Sequence, residues 1–272
     1  MKLWYQSMSR QKAWSAYNVA LREILDQIKD PDTQIDVHGI TKVGGVADQY
    51  HYLDYLESGE VLENVQHAVR DGYDAFLIGN IGDPVLEAAR EIANIPVLGL
   101  CQTALLTASM MGANFSLVTI NEKFTPRIVE NVRRYSLESR LVSTHRMAVD
   151  RILSLDAGFT DAKARKNIIS QFLQAADANV ADGAEVIIPA GGVVMALLAH
   201  AGVHHASRET PILNGITALV KMGEAAAKMN RIMGGGFTSK RLAYAPPTVD
   251  QIDEIRKYYG DVYPTVKSRK RR

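Results

Sequence analysis

The run Gly72–Leu100, GYDAFLIGNIGDPVLEAAREIANIPVLGL, limits what this chain can fold into. Asp74 to Ile78 is an apolar run of strand length. Gly79-Asn80-Ile81-Gly82-Asp83-Pro84 is a loop of small, turn-forming residues. Val85 to Ala93 carries Leu86, Ala89, Ile92 and Ala93 at helical spacing, and Ile95 to Leu100 reads as a second buried strand. In a strand–loop–helix unit the loop at the strand's carboxyl end faces a crevice, where ligands bind. The first amides of the following helix lack intrahelical partners and suit an anion or a carbonyl.

The unit occurs twice. Gly72-Tyr-Asp-Ala-Phe-Leu-Ile-Gly-Asn-Ile-Gly matches Gly183-Ala-Glu-Val-Ile-Ile-Pro-Ala-Gly-Gly-Val, and Ile95-Pro96-Val97-Leu98-Gly99 matches Thr210-Pro211-Ile212-Leu213-Asn214. A helix rich in small residues follows each. The repeat predicts two similar lobes related by a pseudo-two-fold axis. The loop after Ile78 would then face the loop after Ile188 across a shared cleft. The expected fold is α/β, with two pseudo-symmetric Rossmann-like lobes, parallel sheets and an active cleft between them. Residues 1–98 plus 210–272 are expected to form lobe 1, and residues 99–209 lobe 2.

Along the chain the pattern predicts strands over Lys2–Gln6, Gln34–Gly39, Asp74–Ile78, Ile95–Leu100, Asn114–Ile120, Glu185–Pro189 and Thr210–Asn214, with strand then loop over Leu141–Val149. Helices are expected over Lys12–Lys29, Leu53–Arg70 with an interruption near Ser58-Gly59, Val85–Ala93, Cys101–Gly112, Arg127–Tyr135, Ala162–Asp182, Val193–Ala201 and Ile216–Met229. Gly234-Gly235-Gly236 precedes a polar, Tyr-rich arm.

The chain's 272 residues suffice for a sizeable core, and a net charge of +1 gives no global field for nucleic acid or membrane. The basic tail Lys267–Arg272 reads as a solvated terminus. One cysteine, Cys101, excludes an intramolecular disulfide and argues against a thiolate metal cluster. No apolar run reaches membrane-span length and no signal-peptide pattern is present, so a cytoplasmic location is expected. GNIGDP is not a dinucleotide or phosphate-loop fingerprint. No cofactor and no metal is expected, and the partner is a small-molecule substrate.

The order GYDAFLIGNIGDPVLEAAR, IPVLGL, FSLVT, DGAEVIIPAGG, TPILNG resembles the aspartate/glutamate racemase superfamily, nearest its hydantoin racemase branch. The likeness covers residues 1 to about 230. It implies two pseudo-symmetric lobes, each supplying one cysteine to the cleft. One thiolate takes the proton beside a carbonyl, and the other thiol returns one to the opposite face. It also implies assembly into dimers or larger homo-oligomers. The cysteine positions align with Asn80 and Gly191, and neither residue exchanges a proton as a thiol does. Ser7-Met8-Ser9 stands at the family's NPN loop. Thr119 is kept, Ile120 replaces a second threonine, and Asn214-Gly215 replaces Asp-Gly.

The expected function is therefore an enzyme on this scaffold acting on a small cyclic amide or carboxylate without the cysteine pair, by isomerisation, decarboxylation or hydrolysis. The alternative is a non-catalytic small-ligand-binding protein. Asn80, His51, Tyr50 and Asp83 are the candidate catalytic residues. Ser7, Ser9, Ile81, Gly82, Thr119, Ile120, Gly191, Gly192 and Asn214 are the candidate ligand contacts. Asn80 can hold a carbonyl or orient water, or close its own loop. Asp83 can act as a base or cap the helix at Pro84. Cys101 can be a reactive thiol or a small core residue. Arg146, beside His145, can pair with a substrate carboxylate or sit on the surface.

Overall fold

The computed structural model describes residues 1–46 and 49–264. Ala47, Asp48 and the basic tail Lys267–Arg272 lie outside them. Two all-parallel sheets form the framework. Sheet A has the order β2 (Gln34–His38), β1 (Lys2–Gln6), β3 (Ala75–Ile78), β4 (Val97–Gly99). Sheet B has the order β6 (Leu141–Arg146), β5 (Phe115–Thr119), β7 (Ile187–Ala190). The helices are α1 (Ser15–Ile28), α2 (His51–Arg70), α3 (Leu86–Ile92), α4 (Leu100–Met111), α5 (Thr125–Arg134), α6 (Ala162–Ala181), α7 (Gly192–His200), α8 (Gly215–Ile232) and α9 (Val249–Tyr259).

Parallel strands are covered on both faces, so they read as continuous apolar runs. AFLI of β3 and FSLVT of β5 are buried throughout. Alternation divides sheet A between two cores. Leu3, Tyr5, Ala75 and Leu77 face a core that runs on through α1, α4, α7 and α8 into sheet B. Trp4, Phe76 and Ile78 face a smaller core under α2 and α3.

The repeat appears as matching sheet order. β4 flanks β3 on the side away from β1, with Leu77 opposite Leu98. Ile212 flanks β7 in the same sense, on the side away from β5, through a parallel bridge to Ile187. The predicted strand Thr210–Asn214 is reduced to that bridge and an antiparallel one between His205 and Pro211. The helix after each second strand crosses to the other lobe: α4 reaches β7 and α8 covers β3, and the two helices pack on each other.

Three expectations of local structure are corrected. α2 is continuous across Ser58-Gly59. Gly59 lies on its exposed face, and the Ser58 hydroxyl donates to the Asp54 carbonyl at 2.8 Å, so neither residue breaks the helix. A 3-10 segment, Ile152–Phe159, follows β6 and was not anticipated. The polar arm contains α9, started by a Thr248–Gln251 capping box. No helix among the described residues is long and apolar enough to cross a membrane.

Candidate functional site

The carboxyl ends of β1, β3 and β7 converge on a cavity of about 60 Å³. From lobe 1 come Ser7 and Ser9 after β1, Trp14 and Tyr17 from the start of α1, Gly45 and Val46, and Gly79, Asn80 and Ile81 after β3. From lobe 2 come Ile120, Phe124 and Ile152, with Gly191, Gly192 and Val193 at the start of α7. The polar side chains are all on the lobe 1 wall, beside Met8, Val46 and Ile81, and the lobe 2 wall is mostly hydrocarbon. No Asp, Glu, Lys, Arg, His or Cys lines the cavity among the described residues.

The serines form a directed chain. Ser9 Oγ donates to Asn18 Oδ1 at 2.7 Å, which uses its only proton. Ser7 Oγ, 2.8 Å from Ser9 Oγ, must therefore be the donor of that pair, and it also accepts the Ser9 amide. Asn18 completes the chain by donating to the Trp14 carbonyl. On the other loop, Asn80 Oδ1 accepts the Gly82 amide at 2.7 Å. Asn80 thus closes its own turn while lining the cavity.

Lobe 2 clamps that loop from outside. Asn131 of α5 donates to the carbonyls of Ile81 and Gly82. Arg127 lies against Gly82 and pairs with Asp54 of α2 at 2.8 Å, both side chains being nearly buried. Asp83 points beneath the cavity, not into it. Its carboxylate accepts the amides of Cys101 and Gln102, each at 2.8 Å, and the Tyr135 hydroxyl at 2.7 Å. It therefore caps α4, not the helix at Pro84. Burial pushes its carboxyl up to about 6, against the pull of these three donors. Asp83 and Val85 hold φ of 47° and 51°. For a β-branched residue such as Val85 this is an outlier conformation, of a kind that clusters at functional loops.

The loop at 40–46 brings Gly45 and Val46 to the cavity and is tied by carboxylates. Glu60 accepts the amides of Thr41 and Lys42, and Glu57 accepts that of Gly45. Trp14 donates its indole N–H to the Gly45 carbonyl. Gln49 accepts from Asn121 of lobe 2 at 3.1 Å. A further cross-lobe tie is Asp156, which accepts the first amides of α1 at Tyr17 (2.8 Å) and Ala16 (3.4 Å).

The structure brings Ser7, Ser9, Asn80, Ile81, Ile120, Gly191 and Gly192 together around one cavity. It leaves the other sequence-derived candidates elsewhere. Tyr50 and His51 begin α2 and are exposed, with Lys123 over the Tyr50 ring. Gly82 and Asp83 belong to the same loop as Asn80 but do not line the cavity. Thr119 is buried and bonded to Thr125. Asn214 caps α8 and lines a separate cavity of about 680 Å³ between α1, α4, α7 and α8. Arg146 pairs with Glu122 on the surface, and His145 with Asp182. Cys101 is buried outside the cavity, its thiol pushed up by burial first and by Asp83 second. No group of three or more metal-ligating side chains occurs among the described residues. Sequence reasoning missed Trp14 and Tyr17, which look like core positions on the apolar stripe of α1. The signal available was their place in the first turn of the helix that follows the Ser7–Ser9 loop.

The family model for Asp/Glu/Hydantoin racemase matches residues 16–223, most of the chain. The chain belongs to the Asp/Glu/hydantoin racemase family. It is 30% identical over 229 residues to a hydantoin racemase of Pseudomonas sp. (strain NS671), covering 84% of each chain. Over 190 residues it is 30% identical to a hydantoin racemase of Rhizobium meliloti, covering 70% of this chain and 73% of that one. An allantoin racemase from Klebsiella pneumoniae superposes with a TM-score of 0.72 at 25% identity, covering 91% of this chain and 94% of that chain. The two lobes with parallel sheets are the racemase-type architecture.

Proposed function

We propose that this member of the family is an isomerase-type enzyme that binds a small, neutral cyclic amide between its lobes and exchanges the proton on the carbon beside its carbonyl, without paired thiols. The observation that carries this reading is the cavity wall. Polar groups on the lobe 1 side face an apolar lobe 2 wall, and no charged side chain lines the space among the described residues. A free carboxylate would be buried there without a cationic partner, at high cost, whereas the carbonyls and N–H groups of a cyclic amide match neutral donors and acceptors. The hydantoin and allantoin racemases among the relatives, by their names, act on rings of this class. The first amides of α7 lack intrahelical partners and can hold the carbonyl oxygen as charge develops on it.

A second reading, a non-catalytic binding protein, is favoured by one observation: the cavity lacks a thiol, carboxylate or imidazole among its described lining residues. The deciding experiment incubates the protein with hydantoin, 5-methylhydantoin and allantoin in D2O. Deuterium uptake, optical rotation, CO2 release and ring opening are followed together. Uptake above the protein-free rate, with loss of optical rotation, supports the isomerase. Ligand-induced thermal stabilisation with no turnover of any kind selects the binding protein.

A further inference from the structure

Resting on the enzyme reading above, we propose that Tyr17 is the residue that moves protons in this cleft and that the buried Tyr5 hydroxyl is its partner behind the cavity wall. The lining residues lead to Tyr17 by chemistry. The hydroxyl protons of Ser7 and Ser9 are committed along the chain to Asn18. The Trp14 indole is committed to the Gly45 carbonyl, and the Asn80 carboxamide does not titrate. Tyr17 is the one titratable side chain lining the cavity among the described residues.

Its position fits the task. A Cβ placed on Gly192 would lie 3.6 Å from the Tyr17 hydroxyl and 3.6 Å from the Gly79 carbonyl. The phenol oxygen therefore sits where the ends of β3 and β7 come together, beside both loops of the repeat. It is also held in place. The Tyr17 amide donates to Asp156, and its ring packs on Trp14 and Phe159 with centroids 6.0 Å away in each case.

Tyr5 supplies the second, independent observation. It is fully buried, and its hydroxyl has no hydrogen-bond partner among the described residues. The ring lies so close to Gly79 that any side chain there would collide with it, at 2.4 Å. Burial pushes the Tyr5 phenol well up, and negative charge on Tyr17 raises it further. A buried hydroxyl left without an acceptor is a standing cost in a folded chain; the Tyr5 hydroxyl makes no hydrogen bond among the described residues, so its influence on Tyr17 is electrostatic, through the wall at Gly79.

The step balances without any further reactant. The Tyr17 phenolate takes the proton from the carbon beside the ligand carbonyl, so a C–H bond breaks and an O–H bond forms. The electron pair moves to the carbonyl oxygen as an enolate. Return of a proton from the Tyr17 hydroxyl, after exchange with solvent, re-forms the C–H bond and frees the phenolate.

The test follows loss of the C5 proton of 5-methylhydantoin in D2O by NMR, less the protein-free rate, with binding measured by calorimetry. Tyr17→Phe keeps the ring and is expected to lower the catalysed exchange about 100-fold or more while the dissociation constant stays within about twofold. Tyr5→Phe removes a hydroxyl that bonds nothing in the resting structure, and it should lower exchange by a smaller factor with no fall in melting temperature. As a second probe, 3-fluorotyrosine in place of Tyr17 acidifies the phenol and should move the pH–rate curve to lower pH. Exchange by Tyr17→Phe within threefold of wild type, or an unmoved curve with 3-fluorotyrosine, overturns the assignment and leaves the enzyme reading standing. Absence of exchange by the wild-type protein overturns both.

Discussion

A Cβ added to Gly191 would lie 2.6 Å from Cδ1 of Ile120 and 3.0 Å from its Cγ1. The backbone of Gly191 is extended, at φ −178°, so a side chain is excluded there by Ile120 and not by conformation. Gly191→Ala should therefore destabilise the protein by about 1–3 kcal/mol through overpacking. Ile120→Val deletes the colliding methyl and on its own should cost about 1 kcal/mol. The double variant should be more stable than the sum of the two losses, with a coupling of about 1 kcal/mol or more in urea unfolding. Strict additivity would show that Ile120 does not control this wall.

The buried carboxyl of Asp83 sets a pH dependence whose direction is fixed by its shift. Its folded value, about 6, lies above the ordinary aspartate value of 3.8. The folded state therefore holds this proton more tightly than the unfolded chain does. The stability it contributes is full below about pH 4, falls as pH rises towards 6, and is lost above that. Wild-type unfolding free energy should carry this decline, on the order of 1 kcal/mol per pH unit across that window. Asp83→Asn should lack the decline. At pH 7 the variant should still be less stable by about 1–3 kcal/mol, because one amide oxygen cannot replace two carboxylate oxygens facing Cys101, Gln102 and Tyr135. Urea titrations at half-unit steps from pH 4 to 7.5 measure both effects.

How much could be read from residue order alone follows from what each residue answers to. β1 was legible to the residue, and β3, β5 and β7 to within two, because strands covered on both faces are apolar throughout. The sites of both cleft loops followed from the repeat, since equivalent strands end at equivalent places. Tyr17 was hidden because a cavity wall and a core leave the same helical stripe. Asp83 reads locally as a base or as a cap of the helix it precedes, whereas its acceptor atoms meet amides 18 and 19 positions downstream. Tyr50 and His51 sit in an aromatic loop, but the direction in which α2 leaves that loop turns them outward. Such placements depend on tertiary geometry that local spacing does not encode.

The Arg127–Asp54 pair joins α5 to α2 with side chains only 10% and 16% exposed. Removing one partner of a nearly buried pair leaves the other charge desolvated, so Arg127→Met and Asp54→Leu should each cost about 3–5 kcal/mol. The double variant should recover a substantial part of either loss. Arg127 also presses on Gly82, so Arg127→Met should weaken ligand binding even where the fold survives. Thermal unfolding with calorimetric binding separates these effects, and a double variant no better than the worse single one would exclude the coupling.

Asp156 binds the start of α1 from the other lobe, and α1 carries Trp14 and Tyr17 to the cavity. Asp156→Ala should cost about 1 kcal/mol, the usual loss for a helix cap. It should also raise the ligand dissociation constant, because the cap is one of the ties that fix the spacing of the lobes. Asp156→Asn keeps an acceptor and should restore most of the stability. Equal losses for Ala and Asn would mean that the charge, and not the amide bond, holds the helix.

The serine chain makes an ordered prediction. Ser9 sits in its middle, donating to Asn18 and receiving from Ser7, while Ser7 sits at its end. Ser9→Ala leaves the buried Asn18 oxygen without its donor and Ser7 without its acceptor, which should cost about 1–3 kcal/mol. Ser7→Ala leaves the Ser9–Asn18 bond in place and gives up one acceptor for the Ser9 amide, a long bond at 3.3 Å. Its stability cost should be the smaller, below about 1 kcal/mol. Both variants alter the polar wall of the cavity, so both should weaken binding of a cyclic amide. The ratio of binding loss to stability loss should be greater for Ser7→Ala. If Ser7→Ala proves the more destabilising of the two in chemical denaturation, the chain does not run from Ser7 through Ser9 to Asn18, and the donor assigned to each hydroxyl is wrong.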